Sequence, residues 1–214
     1  MTTPRDLSIV ALDVASGPPV DPGDLSLALA GAELIDLMDA GMLVLDGDRI
    51  APGGARTLAD RQLDEAASLL IRRMPYESVD DWLWRRGRGL SAVYRAALAE
   101  LAAAENATGT PERVVRQRRR WFPLRHTGPA LAADSPARRH ATDRWASGEP
   151  VLATLAAAAG VHNAPAPAEE SPSFADEAVA TVLAAVNGAV TELEAVRQRR
   201  TIEAAAFDNI WRGQ

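Results

Sequence analysis

The spacing of apolar residues is helical over most of the chain. Between residues 25 and 38, apolar side chains recur at near-helical spacing, namely Leu25, Leu29, Leu34, Leu37 and Met38. Asp24 precedes them as the predicted N-cap, and Gly41 follows as a terminator. This is the clearest predicted element. The same periodicity predicts further helices over residues 60–73, 78–86 (with Trp82 facing the core), 90–104, 135–147 and 151–159.

Three stretches do not follow this pattern. Residues 42–50 consist of an apolar run, the turn Asp46-Gly47-Asp48 and a return segment, which together predict a β-hairpin. Residues 113–125 form a second β-like stretch with a basic and aromatic tip, and Leu7–Leu12 is predicted to be a short buried helix or strand. The predicted fold is therefore mostly α: a helical bundle with one or two small β-hairpins, the second of them basic and aromatic.

The C-terminal third predicts a long helix with a separate final segment. Apolar residues from Val179 to Val196 mark one face of a helix that starts near Asp176, and a further helical segment spans residues 201–211. Before it, residues 162–174 contain three prolines and are predicted to be a surface linker. Too little chain follows this linker to form a second core, so residues 1–214 are predicted to be a single domain.

Composition narrows the possible chemistry. The 214 residues are 47% apolar and 24% charged, with a net charge of −6, as in soluble globular proteins. There is no cysteine, and all 23 basic residues are arginine, which excludes thiolate catalysis, cysteine zinc sites and Schiff-base or P-loop lysines. The apolar run Leu7–Leu12 is too short for a signal peptide or a membrane span, so a cytoplasmic protein with only peripheral membrane contact is predicted.

The residues that usually perform catalysis are scattered. The three histidines, His126, His140 and His162, are far apart in sequence and lack the spacing of a metal site. The carboxylate pairs Asp64-Glu65 and Asp80-Asp81 are sequence neighbours, which point about 100° apart on a helix and do not face one substrate. Neither enzymatic activity nor a metal or cofactor is therefore predicted.

The most distinctive feature is the basic stretch 113–125, which holds six arginines and no acidic residue. Guanidinium groups bind phosphates, and each is worth about 1 kcal/mol near an anionic membrane, while a buried large apolar side chain adds about 1.5–3 kcal/mol. The alternative is that Trp121 and Phe122 pack inward and the arginines are only solvated. For the membrane interpretation, the predicted headgroup ligands are Arg118, Arg119, Arg120 and Arg125, and the predicted insertion residues are Trp121, Phe122 and Leu124.

A second basic patch surrounds Arg86-Gly87-Arg88-Gly89. Two glycines beside two arginines suit either a hinge or an anion-binding corner, but they also suit an ordinary helix start. The predicted headgroup ligands in this patch are Arg85, Arg86, Arg88 and Arg95.

Two other classes of function remain open. A helix followed by a basic hairpin is also the arrangement of a winged-helix DNA-binding protein. Against this, the predicted helix 90–104 has no Asn, Gln or Lys to read bases, and the net charge opposes nonspecific DNA binding. An adaptor without lipid binding would present an apolar stripe such as Val182–Val196 to a partner helix.

Several segments, taken in order, resemble the Golgi phosphoprotein 3 family. They are the run Leu7–Asp13, the segment Leu27–Leu43, Leu63-Asp64-Glu65-Ala66 and Asp81-Trp82-Leu83, followed by a helix, a basic hairpin and Ala/Leu-rich helices. The resemblance implies a helical domain that docks on membranes through a phosphoinositide pocket and a hydrophobic hairpin. It also implies an adaptor that recruits cytoplasmic tails of membrane proteins, without catalysis. The high Ala and Arg content is typical of a GC-rich bacterial gene, where no Golgi exists.

The family's headgroup residues are replaced in this sequence. Its stacking tryptophan corresponds to Asp21, its first arginine to Ala30, and its arginine pair to Ser91 and Tyr94, with Arg95 one position away. We therefore expect anionic lipid to be bound mainly by the 113–125 hairpin, at the inner face of a membrane, with the Arg85–Arg95 patch as a second contact.

Overall fold

The computed structural model describes residues 2–13, 19–108, 131, 135–161 and 177–212, with the backbone alone for 106–108 and 208–212. The predicted hairpin 113–125 and the predicted linker 162–174 lie outside these ranges. Within them the chain is mostly helical with one antiparallel hairpin, which confirms the predicted fold class. The elements are α1 Thr3–Asp13, α2 Pro22–Asp39, β1 Leu43–Asp46, β2 Arg49–Pro52, α3 Arg61–Ser68, α4 Val79–Arg86, α5 Leu90–Thr108, α6 Pro136–Ala146, α7 Pro150–Ala158 and α8 Glu177–Arg212.

Helix α2 is the centre of the core. It packs against α1, α5, α7 and α8 and also contacts α3 and α4. Because neighbours surround it, α2 is apolar on most of its faces, and Leu29, Leu34 and Leu37 are completely buried. Gly31 lets α8 approach closely, since a Cβ at this position would lie 2.4 Å from Val186 Cγ2.

The predicted N-cap of α2 was wrong. Asp21, not Asp24, caps the helix: its carboxylate accepts hydrogen bonds from the N–H groups of Gly23 at 2.7 Å and Asp24 at 3.3 Å. Pro22 occupies the first helical position, where the missing N–H costs nothing and the ring presets φ. At the other end Gly41 adopts a φ of +67°, as its position in the sequence predicted.

The structure confirms the predicted β-hairpin of residues 42–50 and shows that residues 7–12 are helical. Strands β1 and β2 pair antiparallel with Asp46 opposite Arg49, and Gly47 in the turn has a φ of +62°. Leu43 and Ile50 face the core. Residues 7–12 belong to α1, which resolves the open choice between helix and strand.

Helix α8 is one continuous helix of 36 residues, so the predicted division near residue 200 was wrong. The segment Arg197–Arg200 interrupts the apolar stripe, but arginine and glutamine are good helix formers and neither Gly nor Pro stops the helix there. Residues 177–207 of α8 are long and apolar enough to span a membrane by length and composition. Val182, Leu183 and Val186 are buried in the core, whereas most of residues 191–207 are exposed.

Candidate anion-binding site

The basic corner Arg86–Gly89 forms the turn between α4 and α5. Gly87 caps α4 and donates its N–H to the Leu83 carbonyl at 2.9 Å, and a Cβ on Gly87 would lie 2.5 Å from that carbonyl oxygen. Gly89 has a φ of +71°, which allows the chain to turn into α5. The two glycines therefore serve a tight helix-to-helix turn, which leaves Arg88 between them on the surface.

A surface cavity of about 400 Å³ lies beside this corner. It is bounded by the first turns of α2 and α5, by the corner itself and by one side chain from α8, and we call it the α2–α5 cavity. The lining residues that matter for its chemistry are Ser26, Trp84, Arg88, Ser91, Arg95 and Leu193.

Two buried serines join the helices that form the cavity. The hydroxyl groups of Ser26 and Ser91 both donate to the Pro22 carbonyl, at 2.6 and 2.9 Å, and the Ser91 N–H donates to Ser26 Oγ at 3.0 Å. These bonds hold the start of α5 against the start of α2. The position of the cavity is therefore fixed by a buried polar contact.

The four arginines of the predicted second patch fall into two groups. Arg85 donates two hydrogen bonds to the Glu77 carboxylate, both at 2.6 Å, and its guanidinium lies 5.1 Å from the centre of the Trp82 ring. Arg88 and Arg95 are exposed, and neither forms an ion pair or hydrogen bond with any residue that the structure describes.

Arg86 belongs to the fold as well. It binds both oxygens of the buried Glu33 carboxylate, at 2.8 and 2.9 Å, and also contacts Glu65 at 3.2 Å. Burial raises the pKa of Glu33 although Arg86 opposes this shift, and the Arg86 side chain is only 7% exposed. Lipid contact by all four arginines stays a prediction, and only Arg88 and Arg95 lack a carboxylate partner among the described residues.

The positions that correspond to the family's headgroup residues have other partners here. Asp21 forms an ion pair with Arg197 of α8, which also binds Asp24 at 2.8 Å. Ala30 is completely buried and its carbonyl accepts the Trp82 indole N–H at 3.2 Å, while the Tyr94 hydroxyl donates to Glu33 at 3.0 Å. One arginine therefore partly offsets the charge of two carboxylates, and Ala30 and Tyr94 serve the core.

The remaining predicted site residues lie outside the part of the chain that the structure describes. Their roles in lipid binding stay predictions. They are Arg118, Arg119, Arg120, Trp121, Phe122, Leu124 and Arg125. Within the described ranges no group of three His, Asp or Glu side chains could hold a metal ion.

Sequence reasoning missed the serine pair and Trp84. Ser26 and Ser91 are separated by 65 residues, and only the packing of α2 on α5 brings them together. The available signal for Trp84 was its position beside two arginines on a short helix whose other tryptophan, Trp82, was already predicted to face the core.

The fold and this cavity define a helical protein with a basic, solvent-accessible site at a helix corner. The family model for Golgi phosphoprotein 3 (GPP34) matches residues 4–204, and the chain belongs to this family. This confirms the resemblance. Proteins of this family associate with Golgi membranes and are not known as enzymes. No curated protein and no solved structure matches the chain.

Proposed function

We propose that this protein is a non-enzymatic peripheral membrane protein that binds anionic lipid headgroups at the cytoplasmic, inner face of a membrane. The observation that carries the proposal is the pair of exposed guanidinium groups of Arg88 and Arg95 on the α2–α5 cavity, which have no ion-pair or hydrogen-bond partner in the described part of the chain. In the rest of this basic patch, arginines are paired with carboxylates, so these two are the cations available to a ligand.

The chemistry of the cavity suits a phosphate attached to a polar headgroup. Guanidinium groups offer planar pairs of N–H donors that match phosphate oxygens. The half-buried Trp84 borders the same cavity and supplies a flat ring with a polar edge, which is favourable at a membrane interface. Arg197, which pairs with both Asp21 and Asp24, partly offsets the carboxylate charge that would repel a phosphate near the start of α2.

The basic hairpin 113–125 would supply the larger membrane contact. In this proposal Arg118, Arg119 and Arg120 bind lipid phosphates while Trp121 and Phe122 enter the interface. The α2–α5 cavity then adds selectivity for a headgroup that carries an accessible phosphate. The proposal includes an adaptor role, in which membrane binding brings the cytoplasmic tail of a membrane protein to this chain; family membership is consistent with it.

Vesicle co-sedimentation tests the proposal. The wild type is compared with Arg88→Gln/Arg95→Gln on vesicles of phosphatidylcholine alone, with added phosphatidylserine, and with an added phosphoinositide. At about 1 kcal/mol for each arginine, the double variant should lose about thirtyfold in partitioning at low ionic strength. The matched control is Arg61→Gln/Arg139→Gln, which removes the same charge from exposed positions outside the cavity.

The outcomes separate the parts of the proposal. A loss confined to the cavity variant on phosphoinositide vesicles supports headgroup selectivity, and a loss in Trp121→Ala/Phe122→Ala on all anionic vesicles supports the hairpin. Equal losses in the cavity variant and the control reduce the effect to net charge and contradict a role for the cavity. If the wild type binds no vesicle, the proposed function is wrong, and retention on duplex DNA would then favour the nucleic-acid alternative.

The adaptor without lipid binding stays an open alternative. The stripe from Val182 to Val196 begins with side chains that are buried against the core, namely Val182, Leu183, Val186 and Ala189. Its later members Val190, Leu193 and Val196 are half-buried, so only this part of the stripe offers apolar surface to a partner helix.

A further inference from the structure

The loop between α3 and α4, residues 69–76, exposes apolar and basic side chains together, and we call it the 69–76 loop. Ile71 is 42% exposed and Met74 80%, and Met74 is the most exposed large apolar residue in the described ranges. Between them Arg72 and Arg73 are exposed and make no hydrogen bond or ion pair to the described part of the protein. Exposed apolar side chains grouped in this way mark interaction surfaces.

The loop is tied to the fold at both ends. Arg85 donates to the Leu69 carbonyl at 3.3 Å and to both carboxylate oxygens of Glu77. One side chain therefore joins the first residue of the loop to the residue that follows the loop. Ile50 of the hairpin also donates its N–H to the Glu77 carbonyl at 2.9 Å. Because its ends are fixed by folding, the loop can present Ile71 and Met74 to a partner with little further loss of conformational entropy.

The composition of the loop favours a lipid surface over other partners. The order Ile-Arg-Arg-Met places two cations between two apolar side chains on one short segment. At an anionic bilayer the apolar groups enter the acyl boundary while the guanidinium groups stay at the level of the phosphates. Arg85 also connects the loop to the end of α4, which is followed directly by the corner that carries Arg88.

We propose that the 69–76 loop is a second membrane contact, in which Ile71 and Met74 enter the interface of an anionic bilayer and Arg72 and Arg73 bind lipid phosphates. The inference rests on the proposed function, because it requires that the protein binds membranes. It adds a contact that is separate from both the α2–α5 cavity and the basic hairpin.

A single fluorescent label tests the contact directly. The chain has no cysteine, so Met74→Cys creates a unique attachment site for an environment-sensitive fluorophore at an exposed position. The matched control is Ala157→Cys on α7, an exposed position on a helix that packs mainly against α1, α2 and α8. With phosphatidylcholine/phosphatidylserine vesicles, we expect a blue shift and protection from aqueous quenchers at position 74 and neither at position 157.

A second pair of variants measures the contribution to binding. Ile71→Ser/Met74→Ser should lower the vesicle partition coefficient by about tenfold, since partial burial of two large apolar side chains is lost. The control Leu12→Ser/Ile202→Ser changes two apolar side chains of similar exposure, 49% and 69%, on other helices. Circular dichroism verifies that each variant is folded.

The outcomes distinguish this inference from the proposed function. A blue shift at position 74 together with the selective tenfold loss supports the loop contact. If the labelled protein co-sediments but position 74 shows no shift, or if both double variants lose equally, the loop contact is wrong and the proposed function stands. If the wild type does not co-sediment at all, both are wrong.

Discussion

Replacing Arg86 by methionine should destabilise the protein strongly, because Glu33 would lose its charged partner. The Glu33 side chain is completely buried and Arg86 binds both of its carboxylate oxygens. Removing one member of a buried ion pair costs about 3–5 kcal/mol. The free energy of unfolding of a domain is about 5–15 kcal/mol, so this one change should remove a large part of it.

The loss should depend on pH in a direction that the structure defines. Burial raises the pKa of Glu33 above its ordinary value of 4.5, so the folded protein holds this proton more tightly than the unfolded chain does. The stability that the protonated Glu33 carboxyl group contributes is lost as the pH rises through the raised pKa of Glu33. Without Arg86 the pKa rises further. The Arg86→Met penalty should therefore be largest near neutral pH and shrink as the pH falls, because Glu33 becomes protonated in the variant.

Urea denaturation followed by tryptophan fluorescence measures both effects, with the completely buried Trp82 as a reporter. The matched control is Arg61→Met, whose side chain is 82% exposed and lies 4.0 Å from Glu100. It should cost less than about 1 kcal/mol. In addition, Glu33→Gln/Arg86→Met should be more stable than Arg86→Met alone, because no charge is left buried. Equal losses in Arg86→Met and Arg61→Met, or a loss that does not fall at low pH, would refute this reasoning.

Two further stability predictions concern α2 and α8. Gly31→Ala should destabilise the protein by about 1–3 kcal/mol because the new Cβ meets Val186. Gly188→Ala, with nothing within 4 Å of its Cβ, should stabilise α8 by about 0.5–1 kcal/mol. Effects of the same sign in urea denaturation would contradict this packing. Asp21→Ala should cost about 1–2 kcal/mol, since α2 loses its N-cap and Arg197 a partner. Asp21→Asn should cost less, because an amide oxygen still caps; an equal cost would argue against capping.

Local chemistry explains which elements could be predicted from the sequence. The end of α2 and the first hairpin depend on Gly41 and Gly47, whose turns need a positive φ. The start of α2 was misplaced because Asp21 and Asp24 both suit an N-cap, and Pro22 decides between them. The prediction that α8 is divided was wrong because an apolar stripe indicates which part of a helix is buried. Where α8 extends beyond the core, the stripe stops but the helix continues.

The candidate site could be predicted only in part. The sequence shows Arg85, Arg86, Arg88 and Arg95 close together, but it does not show which of them have partners. Arg86 binds Glu33, which is 53 residues away in sequence, and that contact follows from the packing of α4 on α2. Tertiary contacts of this kind separate the arginines that hold the fold from those that can bind a ligand.

The packing of α8 on α2 has a consequence for how the protein is made. Val182 and Val186 of α8 cover the face of α2 around Gly31, so two helices that are far apart in sequence complete one part of the core. During synthesis we expect that face of α2 to stay open to solvent or to chaperones until α8 leaves the ribosome. The nascent chain can form α2 early, but the core around Gly31 closes only after α8 has been synthesised.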